Sequence, residues 1–173
     1  MILTGPKIKE EYTNGTITIA PFNEKYVNPN SYDFCLGNTL VVYKNKELDS
    51  KVPNETETII IPEEGMVLQP DTLYLGHTIE IMGSDIYVPI LRGKSSTGRM
   101  GLFVHITADL IDIGFKGRFT LMMHAVQPLR IYPGMRIGQV TFWQATGNVN
   151  LYSGKYQGSS LPAASQVYKD FEE

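Results

Sequence analysis

At 173 residues the chain has the length of one domain, and a fold of that size buries roughly 70% of the surface its unfolded chain exposes, so it needs no covalent or metal staple. Fifteen Lys and Arg against eighteen Asp and Glu give a net charge of −3, which excludes an overall positive field for nucleic acid or anionic lipid. Any phosphate ligand must be held by local groups.

Cys35 stands alone, which rules out an intrachain disulfide and points to a reducing interior, where it reads as a buried structural thiol. The first residues, Met1 to Lys7, lack a basic segment followed by an apolar stretch, and no run approaches the ~18 residues of a membrane span. The expected location is the cytoplasm, or the host-cell cytoplasm for a viral gene, with no membrane or nucleic-acid partner.

In chain order, residues 1–14 predict one short helix: Ile2, Leu3 and Ile8 precede Lys9, Glu10 and Glu11, and Asn14-Gly15 ends it. Short β-rich runs follow at Thr16–Ala20, Thr39–Tyr43, Thr58–Ile61, Met66–Leu68, Leu73–Ile81, Ile86–Leu91, Leu102–Ile106, Arg118–Ala125, Leu129–Ile131 and Gly138–Phe142. Turn residues separate them, among them Pro53-Asn54, Pro70-Asp71, Gly93, Gly114 and Pro133-Gly134. This spacing predicts an all-β sandwich or jelly roll forming one domain over 1–152. Residues 153–173 are polar and rich in Gly and Ser, and read as a mobile tail of the same domain.

Two turn-rich segments carry the groups suited to chemistry, since a closed β-fold leaves loop amides free to meet a ligand. Arg92-Gly93-Lys94-Ser95-Ser96-Thr97-Gly98-Arg99 combines three cations, three hydroxyls and two glycines, which suits phosphate. It is not a Walker loop, because the preceding glycine is missing and no helix signal follows. His105–Gly117 places Asp109 and Asp112 three residues apart, then Phe115 between Gly114 and Gly117, in an expected β-hairpin. Either carboxylate could act as a general base toward water beside a phosphoryl group, or bond its own turn.

The run Gly93–Ala108, followed by Ile111-Asp112-Ile113-Gly114-Phe115-Lys116-Gly117, closely resembles the dCTP deaminase family. Further matches lie at Met1-Ile2-Leu3, Ile17–Phe22, Asn28–Asp33, Leu36-Gly37, Pro133–Gln139 and Tyr152–Gln157, so the resemblance covers nearly the whole chain. It implies a distorted jelly roll of the trimeric dUTPase type, with a deoxynucleoside triphosphate bound at three sites between the subunits of a homotrimer. The implied triphosphate loop is Lys94, Ser95, Ser96, Thr97, Gly98 and Arg99, with Ser95 and Arg99 also assisting at the reacting centre. Thr107, Ala108 and Asp109 would enclose the base, Asp112 would lie near the deoxyribose and Phe115 would pack by the sugar. Thr120, Leu121 and Met122 on the following strand, with Gln139, Tyr152, Lys155 and Gln157, would complete the contacts as the tail closes over the phosphates.

The chain departs from the family at the proton carrier. Deamination needs a group beside the pyrimidine C4 that activates water and protonates the leaving amine, and the family uses a Glu there. Met122 stands in that position, and a thioether cannot carry protons. His124 is two residues on, on the same strand face but about 7 Å away. Asp109 replaces the Gly or His found in the deaminases. The dUTPases instead have an apolar or small residue at the place of Met122 and an Ile-Asp pair like Ile111-Asp112. The expectation is therefore a dUTP pyrophosphatase: Asp112 activates water at the α-phosphate, and Mg²⁺ is carried on the phosphate oxygens with no side-chain metal site. Two alternatives remain open, a dCTP deaminase, possibly bifunctional, with a substitute acid/base such as Asp109, and a catalytically silent nucleotide-binding regulator. The tail lacks the dUTPase glycine-rich arginine motif, has Ser159 where the deaminases have Gln, and with Asp109 leaves a modified pyrimidine deoxynucleotide open as substrate.

Overall fold

A computed structural model describes residues 1–172; Glu173, the last residue of the expected tail, lies outside the described residues. The predicted helix forms as α1 (Gly5–Thr13), started by a proline in its first turn and seated by Ile8, which is fully buried. The strands are β1 (Ile17–Ala20), β2 (Tyr32–Cys35), β3 (Thr39–Tyr43), β4 (Thr56–Ile60), β5 (Met66–Leu68), β6 (Tyr74–Ser84), β7 (Tyr87–Gly93), β8 (Leu102–Phe103), β9 (Lys116–Ala125), β10 (Leu129–Ile131) and β11 (Arg136–Gln144). A one-turn helix, α2 (Ser95–Gly98), sits between β7 and β8, and short 3-10 turns occupy Glu24–Tyr26 and Val167–Phe171.

Three sheets assemble from these strands. The largest runs β4-β3-β6-β9-β8 with β1 also on β6; a second is β2-β11-β7; β10 and β5 form a pair. All named pairings are antiparallel, as expected for a jelly roll. Sheet faces close on a core that includes Ile17, Tyr32, Phe34, Leu40, Met82, Leu121, Val140 and Phe142. No helix among the described residues is long and apolar enough to cross a membrane.

Several local differences from the sequence expectation have physical causes. β2 is an additional strand: its four residues are all buried, but Asp33 interrupts the apolar pattern that marks a strand. The run expected at Leu102–Ile106 is a regular strand only over Leu102–Phe103, with one further backbone bond to β9 from Ile106 N to Met122 O (3.1 Å). The segment after it is not a regular hairpin. It leaves the large sheet and runs along β7, where Leu91 N donates to Asp109 O (2.8 Å) and Ile111 N to Pro89 O (2.9 Å). The Lys94–Arg99 segment forms α2 despite its weak helix signal, with Thr97 buried and its hydroxyl bonded to Lys94 O and Ile137 O.

β9 supplies the strand that the site is built on. Its burial alternates strictly, with Phe119, Leu121 and Met123 in the core and Arg118, Thr120, Met122 and His124 on the other face. The tail docks on its start: Gly158 N donates to Lys116 O (3.1 Å) and Arg118 N to Ser159 O (2.8 Å).

In β11, a register shift between Arg136 and Gly138 brings Gly138 against Phe34 and Arg92. A Cβ there would lie 2.3 Å from the Phe34 Cζ and 2.8 Å from the Arg92 carbonyl oxygen. Gly138→Ala is expected to destabilise the fold by about 1–3 kcal/mol, as overpacking does, read as a lowered midpoint in urea unfolding at unchanged m-value.

Candidate active site

One cavity of about 510 Å³ opens on the exposed face of β9. Its floor is Arg118, Thr120 and Met122 of β9 beside Leu73 and Leu75; one wall is the loop carrying His105, Ala108, Ile111, Asp112 and Phe115; Tyr43 and Leu48 close another side. The tail forms the roof through Tyr152, Tyr156, Ser159, Ala163 and Ser165. Backbone donors hold this roof: Ala163 N to Thr120 Oγ1 (3.0 Å), Ser165 N to the Tyr43 hydroxyl (2.9 Å) and Gln166 N to the Tyr156 hydroxyl (2.9 Å). A second hollow of about 460 Å³ lies next to it, between Val88, Ile113 and the 145–150 loop. Leu110, Ile111, Asp112 and Tyr152 line both, so the exposed Asp112 carboxylate stands on the ridge between them.

Of the residues singled out in the sequence, Ala108, Asp112, Phe115, Thr120, Met122 and Tyr152 meet at this cavity. Phe115 packs between Phe119 and Tyr152, with ring centroids 5.5 and 6.0 Å away. Leu121 turns the other way and is fully buried in the core. Thr107 is exposed and outside the cavity lining. Asp109 pairs with Arg92 at 2.6 Å, and His124 leans on Phe103 with ring centroids 6.4 Å apart; neither lines the cavity.

Two tail residues expected on the nucleotide are engaged within the chain. Gln157 Oε1 accepts from Lys116 N (2.9 Å) while its Nε2 donates to Gly114 O (2.7 Å). Lys155 Nζ donates to Asp170 Oδ1 (2.5 Å) and Gln166 O (3.2 Å). Gly114 itself permits this docking: its φ is +95°, and a Cβ would lie 2.8 Å from Tyr152 N.

The phosphate-loop candidates lie elsewhere on the chain. Ser95, Ser96, Gly98 and Arg99 are exposed around α2, and none of the residues Lys94–Arg99 lines either hollow. Lys94 Nζ instead donates to Asp33 Oδ2; Asp33 is 1% exposed and also receives Asn28 Nδ2 at 2.8 Å and Arg136 Nη1 at 3.4 Å. Gln139 bonds Ser31 Oγ (2.6 Å) and Gly93 O (3.2 Å). A single copy therefore separates the loop from the cavity.

Sequence reasoning assigned no role to His105, which the structure places in the cavity wall beside Met122. Its Nε2 lies 3.0 Å from Ala108 O and its Nδ1 3.4 Å from Met122 N. A carbonyl only accepts and an amide N–H only donates, so the ring is neutral with its proton on Nε2. Burial pushes its pKa below the ordinary value, the Ala108 carbonyl opposing this more weakly. The ring also pins Ala108, a non-glycine residue at φ +58°.

A family model described as dCTP deaminase-like matches residues 2–145. The chain belongs to the dCTP deaminase-like family. It is 52% identical to a protein of Clostridium botulinum (strain Alaska E43 / Type E3) and 49% identical to one of Cytophaga hutchinsonii, each match covering 99% of both chains. Both proteins are named dCTP deaminase, dUMP-forming. The fold matches the crystal structure of 2'-deoxycytidine 5'-triphosphate deaminase from Agrobacterium tumefaciens with a TM-score of 0.66 over 83% of this chain, at 20% identity. This chain spans about half of that longer one, 48% of its length.

These relationships correct the expected stand-alone dUTP pyrophosphatase. Relatives 47–52% identical from end to end carry the deaminase name. The pyrophosphatase expectation draws on Met122 and the Ile111-Asp112 pair, and the end-to-end identity with proteins of the deaminase name outweighs both. What stands is an enzyme of the dCTP deaminase and dUTPase superfamily.

Burial also holds His77, 4% exposed in β6, below the ordinary imidazole value of 6.5. The fold keeps this ring neutral while the unfolded chain protonates it near 6.5, so its stabilising contribution is complete above that pH and is lost as pH falls toward the folded value. Glu80, raised by burial, works in the opposite sense. The drop in thermal midpoint from pH 7.5 to 5.5 is expected to be smaller in His77→Gln than in the parent; equal drops would show that other groups carry it.

Proposed function

We propose that this chain converts dCTP and two waters to dUMP, diphosphate and ammonia. The end-to-end identity with proteins named dCTP deaminase, dUMP-forming, carries this reading. One water adds at C4 of the pyrimidine and the C4–N bond breaks as the amine leaves with a proton. A second water attacks the α-phosphorus and breaks its bond to the diphosphate oxygen.

The cavity supports a base held above Thr120 and Met122, with Phe115 and Tyr152 at the sugar and Asp112 facing the hollow that leads away from it. Proton handling at C4 falls to His105, the imidazole in the wall beside Met122, because Asp109 and His124 lie off the cavity; both of its nitrogens are bonded within the chain, so this role requires Nε2 to leave the Ala108 carbonyl and turn to the substrate. Asp112 orients and deprotonates the water at phosphorus. Mg²⁺ brought in with the substrate would supply neutralisation of the phosphate charge. Among the described residues no three His, Cys, Asp or Glu side chains gather as a metal cage, and Asp112 is the one carboxylate lining the two hollows that would face such an ion.

Assayed with Mg²⁺, the protein is expected to release both ammonia and diphosphate from dCTP. Diphosphate from dUTP with no ammonia from dCTP would overturn this. His105→Gln is expected to slow ammonia release by about 100-fold while binding of a non-hydrolysable dCTP analogue stays within threefold, and Met122→Glu to raise it. Met122 itself favours a second reading, nucleotide binding without turnover, which dCTP binding with neither product would support.

The separation of the Lys94–Arg99 loop from the cavity supports sites shared between copies, in a homotrimer. Asp112→Asn and Arg99→Gln should each be inactive alone, and mixing them after dissociation should restore turnover. No restored turnover, with mixed assemblies demonstrated, would place each site within one copy.

A further inference from the structure

Asp33 is the centre of a charged cluster that the proposed reaction does not use. The carboxylate is 1% exposed, and its Oδ1 accepts from Asn28 Nδ2 at 2.8 Å. Its Oδ2 meets two cations, Lys94 Nζ from the end of β7 and Arg136 Nη1 from the start of β11, the latter at 3.4 Å. Two positive heads therefore stand one carboxylate oxygen apart, and one negative charge leaves the group with a net positive charge.

The two cations differ in what they leave over. Lys94 is 22% exposed, whereas Arg136 is 52% exposed and touches Asp33 with one nitrogen at the long end of hydrogen-bond range. A guanidinium has five N–H donors, and among the described residues the others of Arg136 make no hydrogen bond. Its central carbon lies 5.5 Å from the centroid of the Tyr26 ring, so the head is supported on one face and at one edge. The register shift at Arg136/Gly138 gives this strand end its local geometry. Gln139, three residues on, spends its amide on Ser31 and Gly93. Arg136 is thus the exposed cation of β11 beside the first residue of the Lys94–Arg99 loop.

We infer that Arg136 is a further phosphate-binding residue, extending that loop so that Lys94 and Arg136 together grip the polyphosphate of the substrate. A fork of donors supported on one side suits the oxygens of a polyphosphate chain, which presents several acceptors in a row. Asp33 acts as the positioning residue: it holds both heads and takes up part of their mutual repulsion until phosphate oxygens arrive. This inference rests on the functional reading above for the identity of the ligand, and on the charge cluster alone for its class.

Calorimetric titration of the full chain, its Arg136→Gln variant and its Arg136→Lys variant tests it, with three probes: inorganic triphosphate, a non-hydrolysable dCTP analogue and dCMP. Arg136→Gln is expected to weaken both triphosphate probes by about tenfold and dCMP by less than twofold, with Arg136→Lys in between and thermal midpoints little changed. Unchanged affinity for triphosphate probes, with a lowered thermal midpoint, would overturn the inference and leave Arg136 as the counter-charge of Asp33. Inorganic triphosphate binding that depends on Arg136, in a protein that binds no dCTP analogue, would uphold the phosphate role and overturn the nucleotide reading. A parent protein that binds none of the three overturns both.

Discussion

The ladder between β6 and β9 is the constraint from which the rest of the architecture follows. It pairs Tyr74 with Met123 through His77 with Thr120, breaks register, and resumes from Ile81 with Arg118. One face of β9 is thereby committed to the core through Phe119, Leu121 and Met123, and the other must face whatever the loops place over it. A slip of one residue would exchange Met122 with Leu121 or Met123 and put the cavity floor into the core. β8, the tail and the loop that crosses to β7 all hang from this strand or its continuation.

The polar groups at the site are distributed by the same division. Asp112 is exposed on a ridge, where it is accessible to two hollows and to solvent. His105 is half-buried and neutral, fixed by a carbonyl on one nitrogen and an amide on the other. Lys94 is drawn toward a buried carboxylate. A buried ion pair of this kind adds little net stability compared with apolar packing, but removing one partner leaves an uncompensated charge. The arrangement fixes where the loop after β7 begins.

Much of this is legible in the residues. The strand runs from Thr39 to Phe142 can be read because their β-branched and aromatic residues are punctuated by Gly and Pro, and the jelly-roll class follows. β2 escapes because Asp33, the anchor of Lys94, breaks its apolar pattern; the feature that matters most there is the one that hides the strand. Ala108, Asp112, Phe115, Thr120 and Met122 are found by motif, and they meet. Tyr43, Leu48 and Ser165 are invisible because they are brought together by the fold across long sequence separations. His105 is visible in the sequence, yet nothing local shows that its ring turns toward Met122. Met122 departs from the pattern that the resemblance implies, and the structure sets an imidazole, that of His105, in the same cavity lining.

The roof of the cavity has a further consequence. The donors that span it, at Ala163, Ser165 and Gln166, are main-chain amides, and their acceptors are hydroxyls of Thr120, Tyr43 and Tyr156. Such bonds are indifferent to the side chain that the tail carries, but they depend on how many residues separate the three amides. As far as these three bonds go, the spacing of the amides along the tail is constrained more tightly than the side chains at Ala163, Ser165 and Gln166. Proline, which has no amide hydrogen, is the one residue these three positions cannot accept without losing a bond.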